Sequence, residues 1–481
     1  MNSINKVRFQ DLYEMGSGIS STKEQAGHGA PFVSFSTVFN NYFLPDELPD
    51  KMDTSAAEQE ACSVKAGDIL LTRTSETIDE LAMSCVATKD YPKATFSGFL
   101  KRLRPKTTGI AYDKYLAFYL RGDLFRRTIT NNAFMTLRAS FNEDIFSYLY
   151  LYLPPYEQQV LIGDLLYKME QKIQLNKRIC AELESMAKTL YDYWFVQFDF
   201  PDANGKPYRA SGGEMVWNEQ LKREIPKGWE IASINGMTTS YRGVSYDKND
   251  LLPSSENGVL VLRGNNIQNN RLVYDRNVAY VPHSFVSKEQ QIRAHDIILT
   301  MSSGSKEHIG KCTRFQYDSP HTYGAFLTKF TPNTDKVGFV YLSMISDFFK
   351  KKIKAICNGT GINNLTNETF DNLIFPKPTA SVLKQFEKTV APMLEKMGSC
   401  EKENETLISL RDWLLPMLMN GQATVAPAES APKLEVLQPE KPARDLRFDR
   451  WLQTQGVAAR GTVDEQTLHD IFNAMDDDDK Q

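Results

Sequence analysis

The chain has 481 residues, of which 41% are apolar, 11% aromatic and 24% charged, a balance that argues against disordered and low-complexity classes. Its mean hydropathy is −0.41, no apolar run reaches the roughly 18 residues of a membrane span, and the N-terminus lacks the apolar core of a secretory signal. The formal charge of −4 is unevenly placed, because residues 422–481 hold twelve acidic against seven basic side chains, leaving residues 1–421 at about +1.

In chain order, residues 1–155 read as a mixed α/β module. Short β-branched and apolar runs such as Asp68–Thr72 are separated by Gly, Pro and Asn turns. Residues 89–138 carry eleven Lys and Arg against Asp90, Asp113 and Asp123. Such a field suits a polyanionic partner; a solvated surface is the alternative. Pro154-Pro155 then announces a helix, with Pro155 near its first turn.

Residues 156–200 predict a long helix. Ile162, Met169, Asn176, Leu183 and Leu190 recur every seven residues, and Leu166, Ile173, Cys180, Ala187 and Trp194 fill the complementary seam. Five such heptads are a coiled-coil pattern. Residues 201–228 read as a linker, and residues 229–378 as a second α/β module with strands at Val259–Arg263 and Asp296–Met301. Residues 379–421 predict a second long helix. Phe386, Met393, Cys400, Leu407 and Leu414 form one series, and Val390, Met397, Asn404 and Leu418 the other. Arg411 interrupts the second series, and Pro392 and Pro416 are expected to kink or limit the helix. Asn176 and Asn404 fall mid-seam, where a buried Asn can set register, or where each is a tolerated half-exposed residue. We expect the helices to pair through Met169, Ile173, Asn176, Leu183 and Leu190 on one and Met397, Asn404, Leu407 and Leu414 on the other. Residues 422–481 read as a linker and acidic tail, with a small helical appendage over 444–475. Asp476–Lys480 is similar to a protease tag.

The two modules are copies. Val64–Thr72 resembles Ile292–Thr300, Ser97-Gly98-Phe99-Leu100 matches Gly324-Ala325-Phe326-Leu327, Asn142-Glu143 matches Asn367-Glu368, and Leu153-Pro154 matches Phe375-Pro376. Four matches in one order at nearly constant offset mark a tandem repeat. The predicted class is α+β: two tandem α/β domains, each followed by a long helix.

Stretches that approach catalytic motifs each miss at a key position. Gly304 to Gly310-Lys311 has one residue too many for a phosphate loop, and Cys312 stands where Ser or Thr would hold magnesium. Leu153-Pro154-Pro155-Tyr156 is similar to the Asp/Asn-Pro-Pro-Tyr motif of adenine methyltransferases, but Leu153 cannot accept a hydrogen bond from a target amine. His308, Cys312, His321 and Cys357 show no metal-ligand spacing, and there is no nucleophile elbow. Cys62, Cys85, Cys180, Cys312, Cys357 and Cys400 form no C-x-x-C pair and read as reduced thiols of a cytoplasmic protein. We expect a binder with no catalytic or metal site of its own.

This architecture resembles the specificity (S) subunit of type I restriction-modification enzymes. The phrases that carry the resemblance are Ile225-Pro226-Lys227-Gly228-Trp229-Glu230, Gly67-Asp68-Ile69-Leu70 with His295-Asp296-Ile297-Ile298, Gly361-Ile362-Asn363-Asn364-Leu365, Pro154-Pro155-Tyr156-Glu157-Gln158-Gln159, Lys172-Ile173 to Asn176-Lys177, and Leu410-Arg411 to Gly421. They span residues 1 to about 421. The resemblance implies two target recognition domains, each reading one half of a split, asymmetric sequence in double-stranded DNA. It implies helices paired as an antiparallel coiled coil, whose length sets the unread spacer and whose surface docks two methyltransferase (M) subunits. Restriction–translocation (R) subunits join afterwards. S-adenosylmethionine, ATP and magnesium then belong to the partners, and this chain binds no cofactor, touches no membrane and catalyses nothing.

DNA reading needs cations on phosphates and polar groups on base edges. In the first module the expected contacts are Arg73, Thr74 and Ser75, then Lys101, Arg102, Arg104 and Lys106 as phosphate ligands, and Arg138, Ser140 and Asn142. In the second they are Arg263, Asn265 and Asn266, then Ser302, Ser303, Ser305, Lys306 and Lys311. Lys350, Lys351, Lys352 and Lys354 are expected on phosphates, and Asn363, Asn364 and Thr366 complete the set. Two other classes stay open at this stage: a self-contained nuclease or methyltransferase with an unrecognised site, and a coiled-coil scaffold that binds no DNA.

Overall fold

The computed structural model describes residues 4–75, 80–132, 139–273, 278–304, 306–359, 364–426 and 457–458. The chain forms two compact units, Met1–Gln174 with Glu403–Gln481, and Leu175–Lys402. Arg138, Ser305, Asn363 and all of the expected helical appendage over 444–475 except Val457–Ala458, which pairs as a strand with Thr424–Val425, lie outside the described residues.

The first unit is built on a four-stranded antiparallel sheet in the order Tyr13–Ser17, Leu100–Pro105, Ile69–Thr72, Ser84–Val86. Ile69-Leu70-Leu71-Thr72 has strand neighbours on both sides, and all four residues are buried, which is why this strand is a continuous apolar run instead of an alternating one. In a second sheet, Ala26–Val33 lies between Asp50–Met52, antiparallel, and Thr95–Phe96, parallel. Asn5–Arg8 pairs antiparallel with Tyr150–Leu153.

The second unit repeats this strand for strand. Thr238–Arg242, Leu327–Pro332, Ile297–Thr300 and Cys312–Arg314 form the four-stranded sheet. Gly258–Leu262 lies between Tyr280–Pro282, antiparallel, and Thr322–Tyr323, parallel, and Glu230–Ser233 pairs with Ile374–Lys377. The shared topology follows a different register from two of the short phrases: Asn142 corresponds to Thr366 as a helix cap, not to Asn367, and Leu153 to Lys377 in the strand pairing, not to Phe375. Its details extend to single residues. Gly67 takes φ +83° where the second copy has His295 at φ +72°, a left-handed conformation that favours glycine. Asp68 and Asp296, the next residues, are fully buried, and each accepts a backbone N–H three residues back, from Lys65 at 2.8 Å and Arg293 at 2.7 Å.

Close backbone approach fixes a glycine that both copies keep. A Cβ on Gly18 would lie 2.3 Å from the Ser97 carbonyl oxygen, and one on Gly243 2.3 Å from that of Gly324. Gly18→Ala and Gly243→Ala should each lower stability by about 1–3 kcal/mol through overpacking. Gly304→Ala, with nothing within 4 Å of its Cβ, should stay within about 0.5 kcal/mol. Thermal and urea denaturation of the three variants checks this.

The first long helix is Tyr156–Tyr191, continued by a π-helical turn at Asp192–Val196. The second is Ala380–Met419. In the first unit, Ile162, Leu166, Met169 and Ile173 share a core with Leu410, Leu414, Leu418 and Met419, and Asn404 Nδ2 donates to the Ile173 carbonyl at 3.3 Å. In the second unit, Cys180, Ala187, Tyr191 and Trp194 share a core with Phe386, Val390, Leu394 and Met397. There the Cys180 thiol approaches the Met397 carbonyl at 3.5 Å. Met169, Ile173, Asn176, Met397, Asn404 and Leu414 are buried, and Leu183, Leu190 and Leu407 half-buried.

Three expectations are corrected. The second helix runs unbroken through Pro392, although it ends at Met419, within one turn of Pro416. A helix-interior proline costs about 3 kcal/mol, but Phe386, Val390, Leu394 and Met397 are all buried around Pro392, each contributing about 1.5–3 kcal/mol. Arg411 does not interrupt the seam. It pairs with Glu170 at 3.0 Å, the two side chains being 12% and 9% exposed, and lies over the Tyr42 ring. The stretch 201–228 is ordered, with a hairpin of Met215–Asn218 and Arg223–Pro226, while Phe200 stacks on Tyr208 and Trp229. Among the described residues, no helix is long and apolar enough to cross a membrane.

Candidate nucleic-acid interface

Each unit gathers polar side chains where its central strand ends. In the first, the chain leaving Ile69–Thr72 passes through Arg73 into Thr74–Ser75, which pairs antiparallel with Ala139–Ser140. The Phe141 N–H donates to the Arg73 carbonyl at 2.7 Å. Arg73 is exposed, and Thr74 and Ser140 half-buried. In the second unit the chain leaving Ile297–Thr300 does the same: Ser302 bridges Asn364 antiparallel, and the Leu365 N–H donates to the Met301 carbonyl at 2.8 Å. The expected groups Arg73, Thr74 and Ser140, and Ser302, Ser303, Asn364 and Thr366, are thus brought together by equivalent backbone pairings although they lie more than sixty residues apart.

Strand register separates the basic residues of the first unit. Lys101 pairs with Leu71, at the Arg73 end of the sheet. It is 8% exposed, and its Nζ donates to Ser17 Oγ at 2.8 Å. Burial, helped by the nearby Arg73 charge and opposed by Glu143, holds its ammonium below the ordinary lysine pKa. Arg104 lies three residues further along, about 10 Å away at strand rise. Its Nε and Nη2 grip the two Asp68 carboxylate oxygens at 2.8 and 2.6 Å. Arg102 Nη1 donates to the Ser63 carbonyl at 2.6 Å, and Lys106 Nζ to that of Gln10 at 2.9 Å. These three side chains are engaged internally, at a distance from the cluster that Lys101 and Arg73 belong to.

The second unit shows a similar sorting. Asn266 is buried. Its Oδ1 accepts the Arg263 N–H at 2.8 Å and its Nδ2 donates to the Val273 carbonyl at 3.0 Å, so it shapes the loop, while Asn265 is exposed. Gly264 in the same loop lies against Thr300, the last residue of the central strand. Lys311 Nζ lies 3.0 Å from His308 Nδ1; Lys306 begins a one-turn helix. Asn142 Oδ1 caps the helix Glu143–Tyr148 by accepting the Ile145 N–H at 3.0 Å. Lys350, Lys351, Lys352 and Lys354 are exposed on the helix Asp347–Gly359. Arg242, which the sequence did not single out, donates its Nε–H to the Ala325 carbonyl at 3.0 Å; its place next to the repeated Gly243 was the available clue.

The cysteines sit in apolar surroundings. Burial pushes the Cys85 and Cys312 thiols up to about 12, so neither offers a thiolate near neutral pH. Among the described residues no three His, Cys, Asp or Glu side chains come together as a metal site.

The family described as type I restriction modification DNA specificity domain matches residues 2–185 and 226–404. The StySPI specificity subunit of Salmonella potsdam is 29% identical over 210 residues, 42% of this chain and 45% of the relative. The EcoKI specificity subunit of Escherichia coli K12 is 30% identical over 210 residues, 42% and 44%. The chain thus matches less than half the length of these two. The MjaIX specificity subunit of Methanocaldococcus jannaschii is 23% identical over 434 residues, 87% of this chain and 93% of the relative. Among solved structures, the S subunit of a type I system from M. genitalium shares the fold with a TM-score of 0.53 at 14% identity, covering 87% of this chain and 96% of that one.

Proposed function

The chain belongs to the family of type I restriction-modification DNA specificity subunits, and on that footing we propose that it is the sequence-reading subunit of such a complex. Residues 1–155 and 229–378 act as target recognition domains, each reading one half of a split, asymmetric site in double-stranded DNA. Residues 156–200 and 379–421 pair as an antiparallel coiled coil that sets the spacer and docks two M subunits, with R subunits joining them. The chain itself is non-catalytic and works in the cytoplasm; S-adenosylmethionine, ATP and magnesium act on its partners.

The observation that carries this reading is the duplicated pairing beyond the central strands, Thr74–Ser75 with Ala139–Ser140 and Ser302 with Asn364. One split site needs two equivalent reading surfaces, and each unit presents its polar residues at the same point of the same topology. Thr74, Ser140, Ser302 and Asn364 are the base-reading candidates. The exposed lysines of Asp347–Gly359 supply phosphate attraction. Arg102, Arg104 and Lys106 frame the sheet.

Genome-wide mapping of methylated bases in cells expressing the matching M subunit, with and without this chain, tests the reading. A split motif present only with the chain supports it; no motif despite soluble chain and active M subunit overturns it and favours the scaffold. Within the complex, Asn364→Ala should cost about 10–100-fold in discrimination at one half of the motif only. Lys351→Ala with Lys354→Ala should weaken binding to all duplexes and flatten its salt dependence. Binding titrations at several salt concentrations separate the two effects.

A further inference from the structure

Phe99 and Phe326 are 60% and 67% exposed, and of the large apolar side chains described only Tyr148 exceeds Phe326. They occupy the same place in the repeat, the third position of the turn entering Leu100–Pro105 or Leu327–Pro332. Both turns are closed, by the Leu100 N–H on the Ser97 carbonyl at 2.9 Å and the Leu327 N–H on the Gly324 carbonyl at 2.8 Å. Both are also stapled to the chain leaving the central strand: the Phe99 carbonyl accepts the Arg73 N–H at 2.8 Å, and the Phe326 carbonyl the Met301 N–H at 2.9 Å. The rings are therefore held out in water by anchored backbone.

An arginine binds the backbone of the residue before each phenylalanine. Arg73 Nη1 reaches the Gly98 carbonyl at 3.4 Å, and Arg242 Nε the equivalent Ala325 carbonyl at 3.0 Å. These arginines are not copies of one another. Arg242 pairs with Thr328 and Ser17 with Lys101, so the repeat places Arg242 opposite Ser17, and Arg73 opposite Met301. Two unrelated chain positions thus bring a guanidinium to the same carbonyl, that of the residue before the phenylalanine. An exposed aromatic ring one residue from a backbone-bound guanidinium offers groups for both chemistries of a nucleic acid, an apolar base and an anionic phosphate.

We propose that Phe99 and Phe326 are DNA-contacting residues, each packing its ring against a base of one half of the target while Arg73 or Arg242 holds the adjoining phosphate. This rests on the specificity-subunit reading and adds an apolar base contact to it. Apolar side chains meet DNA either by wedging into a base step or by covering a thymine methyl, and the test separates these two forms.

The test uses the full chain assembled with its M subunits and a duplex bearing the methylated motif. Phe99→Ala and Phe326→Ala should each weaken binding about 10-fold or more, with lost discrimination confined to one half, and different halves for the two variants. Phe→Leu at either position should recover part of the loss. 2-Aminopurine brightening in that half identifies a wedge; a loss on thymine-to-uracil replacement, absent from the Ala variant, identifies a methyl contact. Binding by both Ala variants within two-fold of the unaltered complex overturns the proposal, leaving the specificity reading in place if the unaltered complex still selects its motif. Loss of M-subunit assembly by light scattering, at unchanged DNA selectivity, also overturns it and makes the rings protein contacts. If the unaltered complex does not distinguish motif from scrambled DNA, both fall.

Discussion

A chain ended after Lys402 should keep its second unit and lose its first. Residues 403–426 are part of the first unit, and Leu410, Leu414, Leu418, Met419 and Val425 are buried in its core with Ile69, Leu71 and Phe118. At about 1.5–3 kcal/mol per buried side chain, their removal takes away on the order of 10 kcal/mol. That is comparable with the entire 5–15 kcal/mol that holds a domain folded. The same truncation leaves Glu170 without Arg411, its buried partner. In contrast, the core of Leu175–Lys402 includes no residue beyond Cys400. Hydrogen exchange should show amides of Ile69–Thr72 and Leu100–Pro105 exchanging freely while those of Ile297–Thr300 and Leu327–Pro332 stay protected. Retained protection in the first set would mean that the N-terminal module stands without the C-terminal segment.

The second large effect is expected at Lys329. Its side chain is 6% exposed and lies 3.2 Å from the Asp296 carboxylate, which is 0% exposed; its Nζ also donates to the Gln291 carbonyl at 2.8 Å. Lys329→Met removes the counter-charge and leaves a buried carboxylate supported by the Arg293 N–H and the Thr331 hydroxyl alone. Breaking a buried pair in this way costs about 3–5 kcal/mol, whereas replacing both partners by neutral groups of similar shape is often near neutral. The double variant Asp296→Asn with Lys329→Met should therefore be more stable than Lys329→Met alone. Urea denaturation of the three proteins measures it, and a double variant no better than the single one would show that the carboxylate does not need its cation. Arg104→Met should cost less in the first unit, because Arg104 is 27% exposed and water can reach the gap.

The long helices were legible because heptad spacing reports burial directly: Ile162, Leu166, Met169 and Ile173 are all in the core. What a one-dimensional pattern missed was compensation. Pro392 and Arg411 look like faults when only their own helix is read, and become acceptable once the surrounding burial and the facing Glu170 are known. Glu170 follows Met169 directly, so an acid beside the seam was the available hint. The same limit applies to the candidate site. Arg73 and Thr74 were found because polar residues follow an apolar strand, and Ser140 because it stands near the end of its module, but counting basic residues could not tell Lys101 from Arg104. Only the strand register, with Asp68 buried at the far end, assigns them to different ends of the sheet. Phe99 and Phe326 were visible as landmarks of the repeat, yet nothing in a sequence says that a phenylalanine beside buried Leu100 faces water.

The division of the chain also orders its biosynthesis. Leu175–Lys402 is one uninterrupted stretch, and the ribosome releases it whole, while Met1–Gln174 waits for residues 403–426. Closing a flexible loop of that length would cost about 5 kcal/mol in chain entropy. Inside the second unit, however, Cys180 already meets Met397, which brings the two ends of that stretch to one place. Folding of the later-made unit thus closes the loop on behalf of the earlier one, and the N-terminal half of the polypeptide should be the last to reach its native state.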